Sequence, residues 1–226
     1  MTFQGFGPKA LPFFKALAFH QTREWFEENR DTYESAIRAP MGDLVEEIAA
    51  RLANAKIPIK GDRKSSLFRI HRDVRFSKNK DPYKTNAGVV LTRSGSKGDP
   101  GLLYFHLSPT ECFFAAGFYL PDPQHVGRLR AAALRDPKAF KQMAARLKKA
   151  NLAISHEDSL KRAPRGFEDI LDPEIAAAVR LKSMVCLRPV TEEAISRPSL
   201  VDDFHAFAKD SLPLLQWGWN ALADSR

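Results

Sequence analysis

Cysteine is scarce in this chain: Cys112 and Cys186 are the only two among 226 residues. Two thiols cannot build a disulfide scaffold, and no CxxC or HExxH spacing is present to hold zinc. Each cysteine lies in an apolar, strand-like run, so two buried free thiols are expected, not a disulfide or a catalytic thiol. Long hydrophobic runs are missing as well. The longest, "CFFAAGFYL" from Cys112 to Leu120, is too short to cross a bilayer as a helix. The opening residues, "MTFQGFGPKALPFF", lack a basic stretch followed by an apolar one and do not read as a signal peptide. These absences point to a cytoplasmic protein with no membrane partner.

Motifs of common chemistry are absent too. There is no GxxxxGK[ST] and no GxGxxG, so neither a P-loop nor a dinucleotide fingerprint is supported. There is no GxSxG elbow. "GSKG" in the 94–101 loop resembles a phosphate cradle only loosely, with no clear helix after it. The six histidines are scattered. No metal site and no cofactor is therefore expected.

What the chain does have is positive charge in one place. The net charge is +8, yet residues 56–98 hold twelve Lys/Arg against three Asp, a local excess of +9. A second basic block, residues 128–149, sets eight Lys/Arg against Asp136. That block reads as helical, with Phe140, Met143, Ala144 and Leu147 on one face and its charges on the solvated side. The first block is not helical in pattern and calls for another account.

The surrounding pattern is α+β. Helices are expected over "PKALPFFKALAF", over "REWFEENRDTYESAIR" with Thr22 as N-cap, and over "GDLVEEIAARLANA" after an interruption at Pro40. Strands are expected at "SLFRIHRDVRF", "TNAGVVLTR", "LLYFHLSP" and "ECFFAAGFYL". Helices follow at about 123–134 and 137–150, a short one opens at Asp172 and Pro173, and "SMVCLRP" reads as a last strand. Two closing helices are expected, separated by Pro213. Consecutive strands between helical ends describe one α+β domain over 1–226, an antiparallel sheet flanked by N- and C-terminal helices.

"RIHRDVRFSKNKDPYKTN", residues 69–86, is the centre of the charge. Six of its residues are Arg or Lys and two are Asp. Alternation on a strand puts Arg69, His71, Asp73 and Arg75 on one face. Phe68, Ile70, Val74 and Phe76 face the core, and Arg72 intrudes among them. A buried guanidinium needs a partner, for which Glu24 or Glu27 is a candidate, or a place at a bulge or the core rim. A neutral ion network would be scaffold. The excess of cations instead describes an anion site built by Arg69, Arg72, Arg75, Lys78, Lys80, Tyr83 and Lys84, with arginine forks, mobile lysines and a stacking or hydroxyl contact from Tyr83. The leading expectation is a small phosphate- or carboxylate-bearing ligand. Two alternatives stand beside it: nucleic-acid binding through the basic surface, and an enzyme on an anionic substrate with His71 and Asp73 as orienter and base. Ser77 lies among the cations without an identifiable base. Ligand identity, reaction, strand order and oligomeric state are open at this stage.

Over nearly its whole length the chain resembles the family catalogued as domain of unknown function 2461. The resemblance rests on "REWFE", on "FRIHRDVRFSKNKDPYKTN", on the "LKRAPRGF" loop and on "RPV" at Arg188 to Val190. It implies a single α+β domain and carries no established activity. Asn79 stands where an Asp is commoner, and Asp81 where Ser or Thr is usual.

Overall fold

Thr22 caps the helix that follows it, as its sequence predicts: its Oγ1 accepts the Trp25 N–H at 3.3 Å. The structure, a computed structural model, describes residues 2–75 and 78–223. Helix α1 is Ala10–Phe19, α2 is Arg23–Glu28 and α3 is Arg30–Tyr33. A π-helical turn, Glu34–Arg38, then runs directly into α4, Ala39–Asn54. Pro40 does not interrupt. It lies two residues past the π-helical turn, and the chain stays helical across it although proline donates no N–H back into that turn. Phe26, Tyr33 and Ile37 are all buried, as are Leu44, Val45, Ile48 and Leu52 of α4.

The sheet has four antiparallel strands in the order β1-β2-β3-β4: Ala87–Thr92, Leu102–Leu107, Cys112–Phe118 and Met184–Pro189. Helices α5 (Pro123–Arg135), α6 (Pro137–Lys149) and α7 (Pro173–Ala178) precede β4 in the chain. Helix α8 is Glu192–Ile195 and α9 is Leu200–Ala223. Helix α9 is one helix with Pro213 inside it, not the expected pair. Proline costs it one ladder hydrogen bond, which burial of Phe207, Leu214, Leu215 and Trp219 offsets. No helix among the described residues is long and apolar enough to cross a membrane.

The chain groups into two compact units. The first comprises residues 1–97, 104–114 and 189–205. Its core is aromatic: Phe105 and Phe114 lie 5.5 Å apart, and Phe114 stacks on Phe204 at 4.6 Å. The second comprises residues 98–103, 115–188 and 206–226. Phe140, Met143 and Leu147 are buried there on the predicted face of α6. Arg188 pairs with Asp210 at 2.8 Å and lies over Phe207. Cys112 and Cys186 are free and buried, as expected, and burial pushes the Cys186 thiol up to about 12.

The expected strand at 67–76 is the main correction. Only isolated bridges form, Leu67 with Val89 and His71 with Tyr83. The Phe68 N–H meets the Gly88 carbonyl, and the Lys84 N–H meets the Ile70 carbonyl. Between those bonds Arg69 alone spans one arm, while Thr85, Asn86 and Ala87 span the other. The extra residues break the ladder as a bulge does. Period-2 burial survives for Ile70 (inward) against Arg69, His71, Asp73 and Arg75 (outward), but Phe68 is 40% exposed and not a core residue. Phe76, the other expected core member, and Ser77 lie outside the described residues.

Candidate functional site

The broken arm 66–75 and its return 78–86 place the charged residues in two groups. The first group is neutralised or used structurally. Arg75 forks onto Asp73, Nε to Oδ1 at 3.0 Å and Nη2 to Oδ2 at 2.7 Å, and both side chains are exposed. That guanidinium holds the Asp73 carboxyl below its ordinary range. Lys80 Nζ donates to the Val74 carbonyl at 2.9 Å. Lys78 is exposed at the turn. Asn79 Oδ1 accepts the Asp81 N–H at 2.8 Å, so position 79 serves as a turn cap, a role an amide fills as well as a carboxylate. Tyr83 is buried and stacks on Phe26 at 4.5 Å, which turns its ring to the core. Its N–H donates to Gln21 Oε1.

His71 leans on Tyr83 (5.2 Å) and Phe26 (6.1 Å). Asp73 is engaged by Arg75, and no hydrogen bond joins it to His71. His106, on β2, lies elsewhere in this unit, among Asn86, Tyr104 and Phe113. No group of three metal-ligating side chains exists among the described residues. Glu27, a candidate partner of Arg72, is taken by Arg30 at 2.6 Å.

The second group is different. Arg72 donates from Nη2 to the Tyr83 carbonyl at 3.2 Å, while its buried Nε has no partner. Lys84 Nζ donates to the Arg69 carbonyl at 3.0 Å. Burial holds the Lys84 ammonium below its ordinary pKa, and the charges of Arg69, Lys97 and Arg72 push the same way. Lys84 and Lys97 share the Phe68 ring, and the charges of Arg69 and Arg72 reach Lys84. Among the described residues none of them is in an ion pair. Asp73 approaches Arg69 and Asp62 approaches Lys97 only as charges at longer range.

Phe68 joins this cluster to the sheet. Lys97 Nζ sits 4.8 Å and Lys84 Nζ 5.6 Å from its ring centroid. Lys97 also donates to the Leu67 carbonyl. Tyr104 meets Phe68 edge-on at 6.2 Å and Phe113 at 6.1 Å. His106 stacks on Phe113 at 4.8 Å, shares a hydrogen bond with the Tyr104 hydroxyl at 3.0 Å, and is held below its ordinary pKa by burial. Tyr104, His106 and Phe113 are half-buried, whereas Leu103, Phe105 and Leu107 between them on β2 are fully buried. Gly88 makes the arrangement possible. A Cβ there would stand 2.3 Å from the Tyr104 hydroxyl.

Sequence reasoning named Arg69, Arg72 and Lys84 but missed Lys97, Phe68 as a surface residue, and the Tyr104–Phe113 floor. The signal was available: Tyr104 and His106 alternate with Leu103, Phe105 and Leu107, a strand with one wet aromatic face. Arg63, counted in the basic excess, is bound instead by Asp43 and Glu46 of α4.

No curated protein and no solved structure matches the chain. A family model described as conserved hypothetical protein (DUF2461) matches residues 9–217, and with nearly the whole sequence inside that match the chain belongs to this family.

Proposed function

We propose that the protein binds a phosphate- or carboxylate-bearing ligand at the cluster of Arg69, Arg72, Lys84 and Lys97. The observation that carries this reading is the set of four cations, the charges of three acting on the fourth, without a paired carboxylate; one is a half-buried lysine and one an arginine with a buried donor left over. Scaffold networks approach neutrality, because uncompensated buried charge is costly. The compensated arginines of this same unit illustrate the contrast: Arg63 between Asp43 and Glu46, and Arg75 on Asp73. An anion among the four cations supplies the missing charge and a partner for Arg72 Nε. Of the seven residues expected from sequence, Arg69, Arg72 and Lys84 remain in the proposed site. Arg75, Lys78 and Lys80 flank it, and Tyr83 supports it from the core. The free thiols support a cytoplasmic setting.

Titration with inorganic phosphate and pyrophosphate at low salt tests the proposal, read by thermal unfolding and calorimetry. Saturating anion raises the unfolding midpoint, since a ligand at a hundred times its Kd adds about 2.7 kcal/mol. Lys84→Met and Arg72→Met abolish the shift. Absence of any shift in the unaltered protein, with no anion in the cluster of a soaked crystal, overturns it.

A further inference from the structure

The anion reading accounts for the four cations. It leaves the aromatic surface beside them without a role. Phe68 is 40% exposed among charges, and Tyr104 and Phe113 continue the surface away from it. An inorganic anion or an aliphatic phosphate touches none of this.

We infer that the ligand is a nucleotide-type phosphate monoester, its phosphate among the four cations and its planar ring on the floor of Phe68, Tyr104 and Phe113. This rests on the anion reading and narrows it to a substrate class. Three observations carry it. First, cations and floor meet at one residue: the ammoniums of Lys97 and Lys84 lie 4.8 and 5.6 Å from the Phe68 ring centroid. A phosphate held there is adjacent to the floor, as the phosphate and base of one nucleotide are. Second, the floor is wet on one side and braced on the other. Gly88 lets Tyr104 lie against β1, and alternate β2 residues are in the core. The rings meet at steep angles, 66° between Phe68 and Tyr104 and 50° between Tyr104 and Phe113, so they offer a base one ring face at a time to stack on, with the next ring as a wall. Third, polar groups line its far edge. The Asn86 amide nitrogen is 3.4 Å from His106 Nε2, and the Tyr104 hydroxyl bonds Nδ1 of the same ring. These groups suit the hydrogen-bonding edge of a heterocycle.

Charge decides between one nucleotide and a strand. The cations gather at the Phe68 end, while the carboxylate that acts on His106 at the other end is Glu111. A strand laid along the floor would bring a second phosphate toward that carboxylate. A single nucleotide avoids it.

Calorimetry with glycerol phosphate, adenosine monophosphate and a series of adenine oligonucleotides separates the possibilities. Adenosine monophosphate binds at least tenfold more tightly than glycerol phosphate. Phe68→Ala removes most of that difference, while Lys84→Met weakens both. Saturation-transfer NMR on the adenine protons reports ring contact in the unaltered protein, independent of how any variant folds. Equal binding of the two monoesters, both lost in Lys84→Met, overturns the ring assignment and leaves the anion reading standing. No binding of either overturns both. Affinity that climbs steadily with oligonucleotide length overturns the single-nucleotide assignment in favour of a strand.

Discussion

The side chain of Lys84 ends on the main-chain carbonyl of Arg69, 3.0 Å from Nζ to oxygen, and not on a carboxylate. An ammonium that is partly desolvated beside three other cations works against the folded state. It lies over the Phe68 ring, 5.6 Å from the centroid. Lys84→Met keeps the stem and removes the charge. The expected result in urea unfolding is a stability unchanged within about 0.5 kcal/mol or increased, together with loss of phosphate binding. A loss of more than about 1.5 kcal/mol would mean that Lys84 braces the fold.

The pH dependence follows from the same residue. Lys84 titrates below its ordinary 10.5 in the folded protein. Between the folded and unfolded values the unfolded chain holds the extra proton, so this lysine makes stability rise with pH across that window. Anion affinity runs the other way, falling as pH climbs through the depressed value and the ammonium discharges. Sulfate is the suitable probe because it does not itself titrate there. Calorimetry should show affinity declining at a pH where an ordinary lysine is still charged, and Lys84→Arg should flatten the decline.

How much of this was legible beforehand depends on which force set each element. The helices were readable because their buried faces repeat on the helical period, as Phe140, Met143 and Leu147 do. The two prolines were misread because proline is disfavoured in helix interiors by local geometry, and that preference yields where a π-helical turn leads into the helix (Pro40) or where a long buried helix outweighs one lost bond (Pro213). The arm 66–75 carries a real strand alternation, yet the excess of residues at Thr85–Ala87 on the opposite arm breaks the pairing. The partners of its charges were not readable at all. Arg75 turned to Asp73 two residues away, while Lys84 met Lys97 from a loop whose position depends on the sheet register. The aromatic floor joins Phe68, Tyr104 and Phe113 from three segments, so only its β2 part left a trace in the sequence.

Asp73 offers a test of the acid–base alternative. Its carboxylate is exposed and committed to Arg75. Exposed pairs of this kind contribute little to stability, so Asp73→Asn should leave the unfolding midpoint unchanged. It also raises the local positive charge, since Asp73 is the carboxylate whose charge reaches Arg69. Sulfate affinity should therefore hold or increase by up to about threefold, with a steeper salt dependence. A tenfold loss of affinity would instead place Asp73 in direct contact with the ligand.

Gly88 and Tyr104 make the most specific structural prediction. A Cβ at position 88 would lie 2.3 Å from the Tyr104 hydroxyl and 2.8 Å from two ring carbons, well inside contact distance. Gly88→Ala must push the ring off β1, and with it the hydrogen bond to His106 and the edge contact with Phe68. Overpacking of this kind costs about 1–3 kcal/mol. Tyr104→Ala alone removes the ring and leaves Gly88 unaffected. In the double variant the new methyl meets no ring, so the two changes together should cost less than their sum by at least about 0.5 kcal/mol. Strict additivity in denaturant unfolding would show that Tyr104 does not lie against Gly88. Binding of adenosine monophosphate should fall in both single variants toward the level of glycerol phosphate, because both disorganise the floor without touching the four cations.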